Sequence, residues 1–240
     1  VPARIVTVAA AKGGVGKTTL AYELAAALDG ILVDLDWDAG GATRMWGFDP
    51  SAAARAPLLD ALESGPEGRP PRPRRRPNQP ELVPSHPDLA ASRIEHELVA
   101  DCLVAWAAAA EAPYLVVDTH PGANPLTDGA MQAADLVVVP VVLGGREMAA
   151  LEAIVQDFAE YRLLLVPNMV PPVPPRRFVE RLAAIADGQL AVAPPVSEHR
   201  WIRRRLRRAA LTRQPNPGVR VRAAAAEFAA VAAAVEVACG

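Results

Sequence analysis

Lys12 and Lys17 are the only lysines in a 240-residue chain whose other 23 basic residues are all arginine, and they stand five residues apart. They bracket a run of glycines in Ala11-Lys12-Gly13-Gly14-Val15-Gly16-Lys17-Thr18-Thr19. Glycines at this spacing let a backbone curl so that successive N–H groups converge on phosphate oxygens. Lys17 then supplies a compact ammonium to the β- and γ-phosphates, and the Thr18 hydroxyl can ligate Mg2+. The general phosphate-loop pattern has glycine where this chain has Ala11, and here a second lysine, Lys12, precedes the paired glycines instead. The stretch Lys12–Thr19 is therefore a candidate nucleotide site. Where arginine is used almost everywhere, a retained lysine marks a position that arginine does not serve.

Such a loop needs a strand before it and a helix after it. Short, continuously apolar runs at Ile5–Ala10, Ile31–Leu35, Leu115–Val117, Leu136–Val141, Leu163–Val166 and Leu190–Val192 read as buried strands. Between them Lys17–Leu28, Asp88–Ala110, Gly145–Glu160, Arg176–Ala186 and Val221–Val237 have helical length and spacing, with Asp29-Gly30 and Asp187-Gly188 as stops. The alternation predicts an α/β fold, a mostly parallel twisted sheet with helices on both faces. Chemistry in such sheets lies beyond the carboxyl ends of the strands. Asp34, Asp36 and Asp38 follow the second run and Asp118 closes the third, in the expected place. No internal repeat and no shift in composition divides the chain, so residues 1–240 are expected to form one domain. The stretch 64–80, rich in Gly, Pro and Arg, is expected to be an exposed, partly extended loop.

The motif KGGVGKTT resembles the deviant Walker A loop of the ParA/MinD superfamily of P-loop ATPases, and the likeness extends along most of the chain. Asp34-Leu35-Asp36-Trp37-Asp38 is similar to the family's DxDPQ, and Tyr114–Asp118 followed by Thr119-His120-Pro121 to its hydrophobic run ending in D-x-P-P. Val83–Ala90 resembles a PSxxxLA segment, and Ala130–Val141 the family's AL-x-AAD-x-VLVPV. The resemblance implies a P-loop NTPase fold using ATP/ADP and Mg2+. It implies that Lys12 reaches across an ATP-dependent homodimer to the partner's phosphates, neutralising developing charge as an arginine finger does. It further implies that Asp36 orients the attacking water close to the metal, that Asp118 holds Mg2+ through water, and that Asn168 and Pro194 sit at the adenine. Motif alignment alone chooses Asp36 over Asp34, and it assigns no role to Asp38.

Three departures stand out. Trp37 and Asp38 occupy the family's Pro and Gln positions, and His120 replaces the first proline of D-x-P-P; it is read as a surface or capping histidine rather than a switch. Leu143-Gly144-Gly145 replaces a proline-containing loop. None of these removes a group the chemistry requires.

Composition narrows the class further. No apolar run of about 18 residues is free of charge, the N-terminus has no charged segment followed by an apolar one, and Cys102 and Cys239 form no metal-binding spacing. A cytoplasmic protein without membrane insertion is expected. The formal net charge of −2 hides an asymmetry, since residues 199–222 hold nine arginines and 69–76 five, with no acid in either segment. On a helix, Arg200, Arg203, Arg204, Arg207 and Arg208 would form one contiguous face, backed by Trp201, Ile202 and Leu206. With Arg220 and Arg222 this suits contact with the phosphates of double-stranded DNA without sequence readout. The 69–76 cluster is equally a second contact or a solubilising loop. The terminal helix, mostly alanine around Phe228, buries too little to hold a bilayer and is expected to pack on the sheet.

The resulting expectation is a nucleoid-associated ATPase that partitions plasmid or chromosomal DNA with a ParB-like centromere-binding protein. No N-terminal helix-turn-helix is expected ahead of the first strand. A ParA-like positioning ATPase for a protein cargo shares every residue of this reading. A P-loop metabolic synthetase shares the loop but predicts a small-molecule acceptor pocket and no affinity for duplex DNA.

Overall fold

The computed structural model describes residues 1–38, 41–49, 56–205 and 208–240, with only the main chain described at Arg203. Seven strands form one sheet: β1 (Arg4–Val8), β2 (Ile31–Asp34), β3 (Glu81–Val83), β4 (Tyr114–Asp118), β5 (Leu136–Val141), β6 (Leu163–Pro167) and β7 (Ala191–Val192). Their spatial order is β3-β2-β4-β1-β5-β6-β7, and every pairing is parallel. β1 thus lies between β4 and β5, where the chain's crossovers part to opposite sides. The loop that follows it opens at the crevice such sheets use for ligands.

The side-chain alternation of β-structure sorts the core into layers. Val6 and Val8 of β1, Leu32, Val116, Val138 and Val166 face α1 (Lys17–Ala27) and α8 (Val219–Cys239), whose Leu20, Leu24, Phe228, Val231 and Val235 complete that layer. Ile5, Val33, Leu115 and Val117 face the other way, onto α3 (Pro57–Glu63) and α4 (His96–Ala109) through Leu58, Leu62, Leu103 and Trp106. On the same side α6 (Gly145–Asp157) and α7 (Arg176–Ala186) cover β5 and β6 with Met148, Leu151 and Leu182. Each such buried Leu, Val or Phe contributes roughly 1.5–3 kcal/mol. The six expected strands appear in a parallel sheet with helices on both faces, and the terminal helix packs on the sheet with Phe228 2% exposed.

Several elements differ from it. The helix expected over 88–110 is broken: a 3-10 turn at Pro87–Ala91 is followed by an extended Ser92, and α4 begins only at His96. Ser92 Oγ bonds the Leu89 carbonyl at 2.8 Å, a local alternative to the helical ladder. Strand β3, α2 (Ala42–Trp46), α3 and α5 (Pro125–Gln132) were not anticipated. For α5 a signal was present, because Asn124 caps the Thr127 N–H at 3.0 Å and Pro125 holds the first helical position. The loop 64–80 is extended as expected, but it is pinned: Arg74 forms an antiparallel bridge with Leu82 and so covers the exposed edge of β3.

The arginine-rich segment is the main correction. Among the described residues of 200–208 there is no α-helix; a 3-10 turn spans Ile202–Arg204 and Arg205 is extended. Arg205 turns inward instead, to the fully buried Glu23 of α1 at 3.3 Å. The Tyr22 hydroxyl bonds the Arg208 carbonyl at 2.6 Å, and the Arg208 guanidinium lies against Gly47, in the space a Cβ would need. The contiguous helical face therefore does not exist, and Arg207 and the Arg203 side chain lie outside the described residues.

Candidate nucleotide-binding site

The phosphate loop runs from the end of β1 into α1. Gly14 and Gly16 adopt φ of 83° and 89°, the left-handed region that L side chains disfavour, and Gly16 is the N-cap of α1. At Gly16 a Cβ would also lie 2.5 Å from Asn168 Nδ2. Lys12, Gly13 and Gly14 are exposed, Thr18 and Thr19 are half-buried, and Lys17 is 6% exposed at the first position of the helix. The unpaired N–H groups of this helix start, with the buried ammonium beside them, form an anion cradle. The other lysine points elsewhere: Lys12 Nζ donates to the Arg146 carbonyl at 3.4 Å, across the loop that leads into α6.

The parallel register places three strand ends side by side. Val8 pairs with Asp118, and Asp34 pairs with Asp118, so the carboxylates gather next to the loop. Asp118 is fully buried, and neither carboxylate oxygen has a hydrogen-bond partner. Burial and the neighbouring Asp34 push its carboxyl well above the usual carboxylate range, while the Lys17 ammonium and the Thr18 hydroxyl pull it down. A buried carboxylate beside the Thr18 hydroxyl and the Lys17 ammonium, at the mouth of an anion cradle, fits a divalent cation accompanying a phosphate.

Asp34 and Asp36, which motif alignment alone distinguished, have different surroundings. Asp34 Oδ1 accepts the Asp36 N–H at 3.1 Å, and Oδ2 accepts both the N–H and the hydroxyl of Thr43 at 2.6 Å. Its oxygens are committed to holding the loop and the start of α2. Among the described residues Asp36 accepts one hydrogen bond, from the Asp38 N–H at 3.0 Å. Burial raises its carboxyl, opposed by that hydrogen bond, by the Lys17 ammonium and by His120. Asp36 is thus the carboxylate left available to the site. Trp37 stacks on His120, and His120 Nε2 lies 3.3 Å from Asp38 Oδ2.

A cavity of about 280 Å3 adjoins the cradle, lined by Gly16, Thr19, Asn168, Ser197 and His199 among others. Asn168 donates to the Val15 carbonyl at 2.7 Å, tying the end of β6 to the phosphate loop. Pro194 is exposed and does not line this cavity; the residues just after it, Val196 to Arg200, do. Glu227 of α8 shapes that wall, accepting from the Ser197 N–H at 3.0 Å and hydroxyl at 2.8 Å, with His199 Nε2 at 2.8 Å. Sequence reading missed this wall, since no local motif links residue 227 to residues 197–199.

Of the proposed arginines, Arg200, Arg204 and Arg220 line a second concavity of about 910 Å3 with Trp201 and Arg205. Arg200 also pairs with Glu198 at 3.1 Å, and Arg222 caps the Pro217 carbonyl at 2.9 Å. In the 69–76 segment Arg74 lies over the Phe48 ring, Arg76 over the Trp46 ring, and Arg75 pairs with Glu81 at 2.8 Å. Those three are engaged in holding the loop.

Residues 3–168 match the family described as AAA domain. No curated protein matches the chain. Among solved structures it is similar to the ATP complex of a Cyanothece McdA variant, at 19% identity and a TM-score of 0.77, covering 98% of this chain and 96% of that one. It is similar to a candidate plasmid partition protein of Borrelia burgdorferi bound to AMPPNP, at 20% identity and TM-score 0.72, covering 98% and 99%. A cobyrinic acid a,c-diamide synthase of Mycobacterium smegmatis with ADP and magnesium matches at 22% identity and TM-score 0.70, covering 98% and 94%. No helix among the described residues is long and apolar enough to cross a membrane. With its phosphate loop, carboxylates and parallel sheet in this arrangement, and with residues 3–168 matched, the chain belongs to the AAA domain family.

Proposed function

We propose that the chain is an ATPase whose residues 1–240 work as one domain, dimerising on ATP and in that state binding double-stranded DNA through its arginines. The observation that carries this reading is the division of labour between the two lysines. Lys17 is buried in its own cradle, whereas Lys12 is exposed and held on the Arg146 carbonyl, outside that cradle. A lysine so placed is available to a second copy.

Thr18 and, through water, Asp118 would hold Mg2+, which when bound neutralises charge on the β- and γ-phosphates. Lys17 and the N–H groups of residues 13–19 bind the same phosphates. Asp36 orients the attacking water, and Lys12 stabilises the charge developing in the partner's site. Asn168 and the wall at 196–200 hold the base. Arg200, Arg204 and Arg220 form the DNA contact, with Arg222 and Arg208 at its margin. Partition of plasmid or chromosomal DNA with a ParB-like partner is the role this chemistry serves.

Retention of duplex DNA in the presence of ATP, ADP or no nucleotide tests the proposal, with Arg204→Glu combined with Arg220→Glu and with Lys12→Ala. Retention is expected with ATP alone and should be lost in both variants. Equal retention in every nucleotide state would overturn the switch, and no retention at all would favour a synthetase.

A further inference from the structure

Trp37, Asp38 and His120 are positions at which this chain departs from the motifs it resembles, and the fold brings all three together. The Trp37 and His120 rings stack with centroids 4.1 Å apart and planes within 3°. Behind the ring, the His120 carbonyl accepts the Thr127 hydroxyl at 3.1 Å, so both the imidazole and its backbone are held. The held imidazole presents Nε2 to Asp38 Oδ2 at 3.3 Å. Asp36 completes the group: one carboxylate oxygen from each aspartate and one nitrogen of His120 all lie within 4.8 Å of one another.

These separations have a chemical meaning. Metal–ligand bonds of about 2.0–2.2 Å in a tetrahedral arrangement set ligand atoms roughly 3.3–3.6 Å apart. The Asp38–His120 pair already stands at that edge length, and the Asp36 oxygen lies within 4.8 Å of both. Access is open, since the Asp38 side chain is 67% and the His120 side chain 21% exposed. Two carboxylates with one imidazole favour an ion of the Zn2+ type over Mg2+, which prefers oxygen ligands alone.

We propose that Asp36, Asp38 and His120 form a second divalent-metal site, of Zn2+ class, distinct from the Mg2+ position at Thr18 and Asp118. Trp37 acts as a positioning residue for the imidazole. An ion there ties Asp36 to Asp38 and His120 and withdraws it from the attacking water, so that the metal restrains hydrolysis. This last consequence rests on the role proposed above for Asp36; the binding itself does not.

Calorimetric titration of Zn2+ into the nucleotide-free chain, with Mg2+ in excess, tests the site. One equivalent should bind, and His120→Ala and Asp38→Asn should each weaken it by at least about tenfold. His96→Ala, in the exposed Glu95-His96-Glu97 cluster, should leave the binding unchanged. Co2+ should give visible ligand-field bands that His120→Ala removes. Absence of Zn2+ uptake, equal uptake in His120→Ala and Asp38→Asn, or loss of uptake in His96→Ala would overturn the proposal. Zn2+ should also slow ATP hydrolysis in the wild type and lose that effect in His120→Ala. Binding at His120 without such slowing would overturn the restraint and count against the role of Asp36, while leaving the metal site standing.

Discussion

Asp34 Oδ1 accepts the backbone N–H of Asp36 at 3.1 Å, so one aspartate holds the loop that carries the other. Two carboxylates that look equivalent in the sequence are thereby divided into a structural member and an available one. Thr43 extends the arrangement, bonding Asp34 twice and accepting the Ser85 N–H at 2.8 Å.

Asp34→Ala leaves buried donors of residues 36 and 43 without acceptors. It should lower global stability by on the order of 2–4 kcal/mol, measured by chemical denaturation. Asp36→Ala, which gives up one hydrogen bond to the Asp38 N–H and relieves a buried carboxylate, should change stability by less than about 1 kcal/mol while abolishing hydrolysis. Equal destabilisation by the two would contradict the division.

The lysines should separate in the same manner. Lys17→Ala should lose ATP binding by at least about a hundredfold in equilibrium titration, because a buried ammonium facing the phosphates has no substitute. Lys12→Arg should bind ATP normally yet hydrolyse it at least about tenfold more slowly, since a planar guanidinium does not replace a compact ammonium in a tight cradle. Wild-type turnover in Lys12→Arg would remove Lys12 from the mechanism.

Gly16→Ala combines two penalties. The residue has φ of 89°, and the new Cβ would meet Asn168 Nδ2 at 2.5 Å and Met169 Cε at 2.9 Å. A left-handed L residue costs roughly 1–2 kcal/mol before any clash. The variant should melt lower and lose nucleotide affinity. Gly188→Ala, whose φ is 65° but whose Cβ would meet nothing within 4 Å, should show only the backbone cost and bind nucleotide normally.

Glu23 supplies a pH signature. Burial raises its carboxyl from 4.5 to about 7, against the Arg205 guanidinium and the Leu211 N–H that lower it. The folded state therefore holds a proton that the unfolded chain has released between these values. Stability from this group is complete below about pH 4.5 and is lost as pH rises to about 7. Glu23→Gln does not titrate, so it should gain on the wild type across that window, by on the order of 3 kcal/mol in all, and run parallel above it. Denaturation curves at pH 5, 6 and 8 would check this; a constant difference between the two proteins would refute it.

The phosphate loop was legible because its chemistry is made by contiguous backbone. Glycine spacing, Lys17 and Thr18 act within one turn of chain, and the apolar runs on either side declare a strand and a helix by their period alone. The parallel sheet followed from alternation of such runs, and β3 escaped notice because only three residues, Glu81–Val83, compose it. What the sequence could not rank depended on partners far along the chain. Asp34 and Asp36 are separated by Thr43, and the wall beside the cradle by Glu227, neither of which belongs to a local pattern.

The arginine segment shows the same limit most clearly. Its spacing satisfies a helical face, and periodicity can say no more than that. In the fold, Arg205 is drawn to Glu23, whose Oε2 also accepts the Leu211 N–H at 2.7 Å, and the Arg208 carbonyl is taken by the Tyr22 hydroxyl. These bonds commit the segment to α1, some 180 residues earlier, in place of a ladder within itself. Local composition determined where the charge, the glycines and the apolar runs lie. Only tertiary structure decided which charges remain free, because a buried carboxylate and a buried hydroxyl had first to be satisfied.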